Sequence, residues 1–163
     1  MTIEAGARAP DFSLRGIDGD TYSLSDALSR GPVVLVFFKT TCGTCDLTLP
    51  YINRLLDAYP GNGWSLWAVA QDPPAEASRY ASTFGMTCPV LPDVDGYAVS
   101  KEYDPPATPT LFLIDRDGDV VQQTAGFSKA DLNSLAAALA ERLGMVPAVI
   151  APAGDDNPDF KPG

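Results

Sequence analysis

Two cysteines separated by two residues, in Cys42-Gly43-Thr44-Cys45, are the side chains of this sequence best suited to chemistry. A cysteine thiolate is a nucleophile that attacks disulfides, and a second thiol one helical turn away can reach back to close a disulfide with it. A pair at this spacing can therefore be oxidised and reduced in cycles. The motif predicts a reactive dithiol.

The segments on either side of the motif predict where this dithiol lies. The seven residues 32–38 form an apolar run rich in β-branched and aromatic side chains, which indicates a buried strand. Apolar residues then recur at helical spacing over residues 47–59, which predicts a helix. Cys42 would lie at the start of that helix, where unpaired backbone N–H groups and the helix dipole stabilise an anion. We therefore expect the pKa of Cys42 to lie below the value of roughly 8.5 for a free thiol.

Composition excludes several classes of function. The net charge of −10, from 21 acidic and 11 basic residues, argues against binding to nucleic acid or to an anionic membrane surface. The sequence contains no histidine, which excludes hydrolases with Ser-His-Asp or Cys-His sites. The length of 163 residues fits one domain. With no signal peptide visible at the N-terminus, we expect a cytoplasmic location.

The third cysteine, Cys88, does not complete a metal site. Zinc needs four protein ligands in a structural site, and beside Cys42 and Cys45 only Cys88 remains, so no metal or other cofactor is expected. Cys88 is either a second resolving or regulatory thiol or a small buried hydrophobic residue. We favour burial, at the end of the sheet opposite the dithiol, because unpaired cysteines are among the most buried residues.

The order of elements predicts the fold class. A hairpin over residues 9–24 precedes the strand at 33–38 and the helix that carries the cysteines. A strand at 64–71, a helix at 74–84, a β-hairpin at 111–124 and a last helix from Ser128 to Gly144 follow. This order predicts an α/β domain over residues 1–144, with a mixed central sheet and helices on both faces. Residues 145–163 are acidic, contain four prolines and lack periodicity, which predicts a disordered tail.

Segments spread over residues 5–143 resemble the thioredoxin superfamily, in particular its redoxin (AhpC/TSA-like) and TlpA/ResA-like thiol–disulfide oxidoreductases. They are Ala9-Pro10-Asp11-Phe12-Ser13-Leu14, the motif with the later Pro50, and Thr108-Pro109-Thr110 with the hairpin that follows it. The resemblance implies a thioredoxin-like fold with an N-terminal β-hairpin extension.

The resemblance also implies roles for single residues. Cys42 would attack a substrate disulfide and Cys45 would resolve the mixed disulfide. Thr108 and a cis Pro109, with Gly43 and Thr44, would form the surface that meets the substrate. Lys39 is either a charge that stabilises the thiolate or an ordinary exposed lysine.

Two carboxylates found in relatives are missing. The buried acid of thioredoxin would fall at Val36, and the glutamate of ResA-like proteins would fall at Thr48. Neither side chain can transfer a proton as a carboxylate does, so how Cys45 loses its proton stays open.

The sequence favours a thiol–disulfide oxidoreductase whose substrates are protein or small-molecule disulfides and whose dithiol is reset by a reducing or oxidising partner. Two alternatives remain. A peroxiredoxin-like thiol peroxidase fits the redoxin-like N-terminal half, but its Pro-x-x-x-Thr-x-x-Cys pattern is absent, since Leu35 and Lys39 stand at those positions before Cys42. The other alternative is a binding module that uses the same fold without catalysis.

Overall fold

The computed structural model describes all residues, 1–163, as five helices and nine strands. The helices are α1 (Leu24–Leu28), α2 (Gly43–Ala58), α3 (Pro74–Thr83), α4 (Ala98–Tyr103) and α5 (Lys129–Leu143). The strands are β1 (Ser13–Arg15), β2 (Thr21–Ser23), β3 (Val33–Phe38), β4 (Ser65–Ala70), β5 (Val90–Pro92), β6 (Thr110–Ile114), β7 (Val120–Ala125), β8 (Phe127–Ser128) and β9 (Phe160–Lys161). No helix is both long and apolar enough to cross a membrane.

The central sheet has five strands in the order β5-β4-β3-β6-β7. Strands β3, β4 and β5 run parallel, while β6 and β7 are antiparallel to their neighbours and close one edge. The pair β1–β2 forms a separate N-terminal hairpin. This mixed sheet confirms the predicted fold class.

The central strand β3 is buried along its whole length because helices cover both faces of the sheet. Successive side chains of a strand point to opposite faces. Val34, Val36 and Phe38 therefore join the larger core with α2, α3 and α5, while Val33, Leu35 and Phe37 join a second core with α1 and α4. Burying each large apolar side chain contributes about 1.5–3 kcal/mol, so the apolar run of β3 holds both layers together.

The last helix, α5, has the ends that the sequence predicts. The Ser128 hydroxyl accepts a hydrogen bond from the backbone N–H of Asp131 and caps the helix at its N-terminus. Gly144 follows the helix in the left-handed conformation, with φ 65°, which glycine adopts without steric cost. The helix therefore begins and ends where its capping residues stand.

Residues 145–163, the tail, differ from the disordered segment that the sequence predicts. Ile150 and Ala151 are buried in the larger core, and the side-chain amide of Asn133 both donates to and accepts from the backbone of Ala151, each at 2.9 Å. Strand β9 pairs antiparallel with β8. The tail is ordered by its contacts with residues elsewhere in the chain. Its own sequence lacks periodicity and therefore does not predict this packing.

A candidate dithiol active site

Cys42 lies at the junction between β3 and α2, as predicted. Its backbone is extended, with φ −115° and ψ 112°, and it is the N-cap of α2. Its Sγ accepts a hydrogen bond from the backbone N–H of Cys45 at 3.2 Å. The sulfur thus takes the place of the oxygen with which Ser or Asp side chains cap helices. An anionic sulfur at this position is stabilised by an amide that otherwise has no partner in the helix.

The surroundings of Cys42 favour its thiolate. Burial acts to raise the pKa, but hydrogen bonds with the side chains of Cys45 and Thr108 and with the backbone amides of Cys45 and Thr44 outweigh it. The pKa of Cys42 is therefore lowered from its ordinary value, in agreement with the sequence-based expectation. Cys42 is half-buried, so the residue is not sealed off from solvent.

Cys45 has the opposite environment. Its side chain is fully buried in the larger core, and burial, followed by the hydrogen bond to Cys42, raises its pKa strongly. Both sulfurs are thiols in this structure. One of the two cysteines is thus prepared to be a thiolate and the other to remain protonated.

The loop before β6 approaches Cys42 from the neighbouring strand. The Thr108–Pro109 peptide bond is cis, as the family resemblance implied. The carbonyl oxygen of Thr108 accepts a hydrogen bond from Cys42 Sγ at 3.2 Å. On the other side of the loop, the Pro109 carbonyl accepts from the backbone N–H of Gly126 at 2.8 Å. Residues 66 positions apart in the sequence are thereby joined at the nucleophilic sulfur.

The two residues between the cysteines differ in exposure. Gly43 is exposed, while Thr44 is buried and its hydroxyl donates to the carbonyl oxygen of Pro162 at 2.8 Å. This contact is not expected from the sequence, which predicts a disordered tail. Of the four residues expected at the substrate surface, Gly43 and Thr44 follow Cys42 directly, Thr108 bonds to its sulfur, and Pro109, next to Thr108, is buried like Thr44.

Lys39 is exposed at the end of β3, where it lines a cleft with Gln71, Tyr97 and Lys101. The groups that lower the pKa of Cys42 are hydrogen-bond partners, and Lys39 is not one of them. Its backbone acts on Cys45 instead, where it opposes the rise of the pKa. A role for the Lys39 side chain in stabilising the thiolate stays a prediction.

No carboxylate occupies the two positions where relatives carry one. Val36 is buried in the larger core, and the buried Thr48 donates its hydroxyl to the backbone carbonyl of Thr44 at 2.7 Å. The acidic residue beside the dithiol is instead Asp46, which accepts a hydrogen bond from the Tyr80 hydroxyl at 2.8 Å. The sequence does not predict this pair. Tyr80 belongs to α3, and its place on the apolar face of that helix indicates only that it is buried.

The pKa of Tyr80 links this pair to the cysteines. Burial raises it most, followed by the hydrogen bond to Asp46 and by the charges of Asp46, Cys45 and Cys42. Tyr80 therefore lies within electrostatic range of both sulfurs. Its hydroxyl stays protonated at neutral pH and donates a hydrogen bond to Asp46.

Cys88 lies just before β5, whereas the dithiol follows the opposite, C-terminal end of the parallel strand β3. Its burial, which the sequence favoured, is confirmed. Burial raises the pKa of its thiol to about 11. No three Cys, Asp or Glu side chains of the chain come together as a group that could hold a metal ion.

Comparison with known proteins identifies the family. The family model of the AhpC/TSA family matches residues 5–123. The chain belongs to the AhpC/TSA family. A curated member of similar sequence is the thiol-disulfide oxidoreductase ResA of Geobacillus kaustophilus, which is 34% identical over 132 residues, or 80% of this chain and 75% of that protein.

Solved structures agree with this membership of the AhpC/TSA family. A thiol:disulfide interchange protein DsbE from Chlorobium tepidum superposes with a TM-score of 0.73 at 32% identity, over 82% of this chain and 94% of that one. The peroxidoxin BcpB of Mycobacterium tuberculosis superposes with a TM-score of 0.70 over 87% of this chain and 97% of that one. At 23% identity the second similarity concerns the fold alone.

Within the AhpC/TSA family, the chain is a thiol–disulfide oxidoreductase with the thioredoxin-like fold. The enzyme class expected from the motif is confirmed. An oxidoreductase of this kind exchanges with disulfide-containing substrates and with a redox partner.

Proposed function

We propose that Cys42 and Cys45 are the redox-active dithiol of this oxidoreductase, with Cys42 as the nucleophile and Cys45 as the resolving thiol. The observation that supports this assignment is the contrast between the two sulfurs. Cys42 is half-buried and has a lowered pKa, whereas Cys45 is fully buried and has a raised pKa. A thiolate attacks disulfides and a protonated thiol does not, so the order of the two steps follows from the two environments.

In the first step the Cys42 thiolate attacks one sulfur of the substrate disulfide. The new bond joins Cys42 to that sulfur, and the other substrate sulfur leaves as a thiolate that takes up a proton. Cys45 then gives up its proton to water and attacks the Cys42 sulfur, which breaks the bond between Cys42 and the substrate and releases the second substrate sulfur as a thiolate. The substrate gains two electrons, and the enzyme is left with a Cys42–Cys45 disulfide.

The partner that resets the dithiol runs the same exchange in reverse. We propose a dithiol protein as the reductant when the enzyme reduces substrates, and a disulfide as the oxidant when it oxidises them. The direction depends on the midpoint potential, for which −270 mV is typical of a thioredoxin-like reductant and about −120 mV of a strong oxidant. The cytoplasmic location expected from the sequence stays a prediction.

We propose that substrates meet the enzyme on a surface formed by Gly43, Thr44, Thr108 and Pro109, which we call the substrate strip. The closeness of the Thr108 carbonyl to the Cys42 sulfur supports this position. The exposed Gly43 adds a surface without a side chain beside the nucleophile. A disulfide bound along this strip would place a sulfur within reach of Cys42.

Cysteine variants test the assignment. Cys45→Ser should accumulate a mixed disulfide with the substrate, because the resolving thiol is missing, while Cys42→Ser should form none. Cys88→Ser is the matched control and should cycle like the parent enzyme. Mass spectrometry after alkylation would measure each species during equilibration with graded thiol/disulfide buffers.

A reversible two-electron transition that persists in Cys42→Ser would contradict the assignment. Oxidation of Cys42 by hydrogen peroxide to a sulfenic acid, at a rate far above that of free thiols, would instead favour the peroxidase alternative. Equal biological activity of the parent and the double variant Cys42→Ser, Cys45→Ser would favour the binding module.

A further inference from the structure

The last six residues, 158–163, cross the face of the protein that carries the dithiol, and we call them the C-terminal strap. Within it, β9 pairs antiparallel with β8, with Lys161 opposite Phe127 and Phe160 opposite Ser128. The backbone N–H of Lys129 donates to the carbonyl of Asp159 at 3.0 Å and extends this pairing by one bond. The strap therefore runs as an added strand beside the start of α5.

Beyond β9 the strap lies on the substrate strip. The carbonyl oxygen of Pro162 accepts the hydrogen bond from the Thr44 hydroxyl at 2.8 Å. Gly163 packs so closely on the loop before β6 that a Cβ built on it would lie 2.6 Å from the Thr108 carbonyl oxygen and 2.8 Å from Ala107 Cβ. Gly163 of the strap therefore lies against the carbonyl whose oxygen accepts the Cys42 hydrogen bond.

Lys161 lies near Gly43, the member of the substrate strip next to Cys42. Its Nζ lies 3.7 Å from the position that a Cβ would occupy on Gly43. The strap therefore bonds to Thr44 and lies beside Gly43 and Thr108, three of the four members of the substrate strip. An extended polypeptide that used the same strip would have to occupy the same space.

The strap is tied to the domain by an anchor at Asp155. This carboxylate accepts hydrogen bonds from Lys129 Nζ at 2.5 Å and from the Tyr51 hydroxyl, and it lies 3.6 Å from Nη1 of Arg54. The side chains of Lys129 and Asp155 are only 6% and 14% exposed. Ile150, buried in the larger core, holds the chain before the anchor.

The strap itself is held far less firmly than its anchor. Phe160 is 62% exposed, and Lys161, Pro162 and Gly163 are exposed as well. Its hold consists of the two-residue pairing with β8, the backbone hydrogen bond from Lys129 to Asp159, the hydrogen bond from Thr44 to Pro162, and an ion pair at 3.8 Å between Lys129 and the exposed Asp159. Segments with few buried apolar contacts and exposed backbone hydrogen bonds open locally at low free-energy cost. The anchor is therefore buried and bonded to several side chains, whereas the strap is exposed and held by few bonds.

We propose that the C-terminal strap determines which disulfides the enzyme accepts, by occupying the strip that an extended polypeptide substrate needs. This inference rests on the proposed function of Cys42 and of the substrate strip. A small disulfide needs to reach only the Cys42 sulfur and reacts with the strap in place. A polypeptide disulfide reacts only in molecules whose strap is displaced, so its rate is reduced by the fraction of open molecules.

The experiment compares two probes in single-turnover reactions of the reduced enzyme, with glutathione disulfide as the small disulfide and insulin as the polypeptide. The variant ends at Asn157, which removes the strap and leaves Asp155 and Ile150 in place. We expect the ratio of the insulin rate to the glutathione disulfide rate to rise by about fivefold to thirtyfold. This range corresponds to a strap that is in place in most molecules of the parent enzyme. The ratio cancels any change in the thiolate fraction of Cys42, since both probes need the same thiolate.

A second variant releases the strap without shortening the chain. Asp155→Asn weakens the anchor and should raise the same ratio in the same direction. Asp156→Asn is its matched control, because Asp156 is exposed and neither donates to nor accepts from any other residue. Asp156→Asn should leave the ratio within twofold of the parent.

An unchanged ratio in both the truncated chain and Asp155→Asn would overturn the proposal. Failure of the proposed function looks different, since Cys42→Ser would then still react with both probes. Melting curves by circular dichroism identify a variant that does not fold, in which case the other variant decides the outcome.

Discussion

The backbone N–H of Cys45 donates to the sulfur of Cys42 across 3.2 Å, so each cysteine shapes the chemistry of the other. Because Cys42 caps the helix that contains Cys45, the same turn that exposes one sulfur buries the second. The two thiols thus differ in pKa although they are three positions apart.

Removal of the second thiol should weaken the first thiolate. Cys45→Ala deletes the side-chain hydrogen bond to Cys42 but keeps the backbone amide, so we expect the pKa of Cys42 to rise by about one pH unit, as for the loss of one hydrogen bond to a charged group. The pKa of Cys42 is measured from the thiolate absorbance near 240 nm as a function of pH, in a Cys88→Ala background. A pKa that is unchanged or falls would contradict the assigned cause.

Cys88 should be inert in the folded protein. With a pKa of about 11, about one thousandth of this thiol is ionised at pH 8, and its burial also blocks reagents. We expect iodoacetamide to label Cys42 first and Cys88 only after unfolding in guanidinium chloride, as read by peptide mass spectrometry. The midpoint potential of the dithiol should be the same in Cys88→Ala, and a shifted potential would show that Cys88 takes part.

The tail should contribute to the stability of the domain. Ile150→Ala removes buried apolar surface from the larger core and should lower the free energy of unfolding by about 2–5 kcal/mol. Val149, its neighbour, is 71% exposed, so Val149→Ala should change that free energy by no more than about 0.5 kcal/mol. Urea unfolding curves test both variants. Equal stability of the two would mean that residues 145–163 do not pack on the domain in solution.

Docking of the tail should depend on pH through the anchor. The hydrogen bond to Lys129, followed by that to Tyr51, holds the pKa of Asp155 well below its usual range, and the hydrogen bond to Asp155 raises the pKa of Lys129. Arg54 also faces Asp155, at 3.6 Å, and Asp159 faces Lys129, at 3.8 Å.

The effect of pH on docking has opposite directions for the two partners of the anchor, Asp155 and Lys129. A lowered carboxylate pKa stabilises the docked tail above about pH 4, and this stabilisation is lost as the pH falls towards the lowered value. A raised lysine pKa stabilises it below about pH 10, and this is lost as the pH rises through the raised value. Amide exchange of residues 158–163 should therefore be slowest, relative to the unfolded chain, between these limits. Protection that does not change below pH 4 would contradict the role of Asp155.

Most elements of the fold could be read from the sequence because they rest on local patterns. The apolar run of β3, the spacing along α2 and the capping residues Ser128 and Gly144 each determine an element within a few positions of the chain. The place of Cys42 at a strand–helix junction follows from the same patterns. These patterns therefore also predict the lowered pKa of that cysteine.

The tertiary structure decided what depends on residues far apart. Nothing near Thr108 in the sequence shows that its carbonyl meets the Cys42 sulfur, and nothing near Asp155 shows that Lys129 and Tyr51 surround it. A local pattern in the sequence shows only which face of a helix or strand is apolar. A polar contact between two distant segments leaves no such pattern in either segment. The dithiol and the sheet that carries it thus follow from local sequence patterns, whereas only the folded structure brings residues 158–163 beside the loop that contacts Cys42.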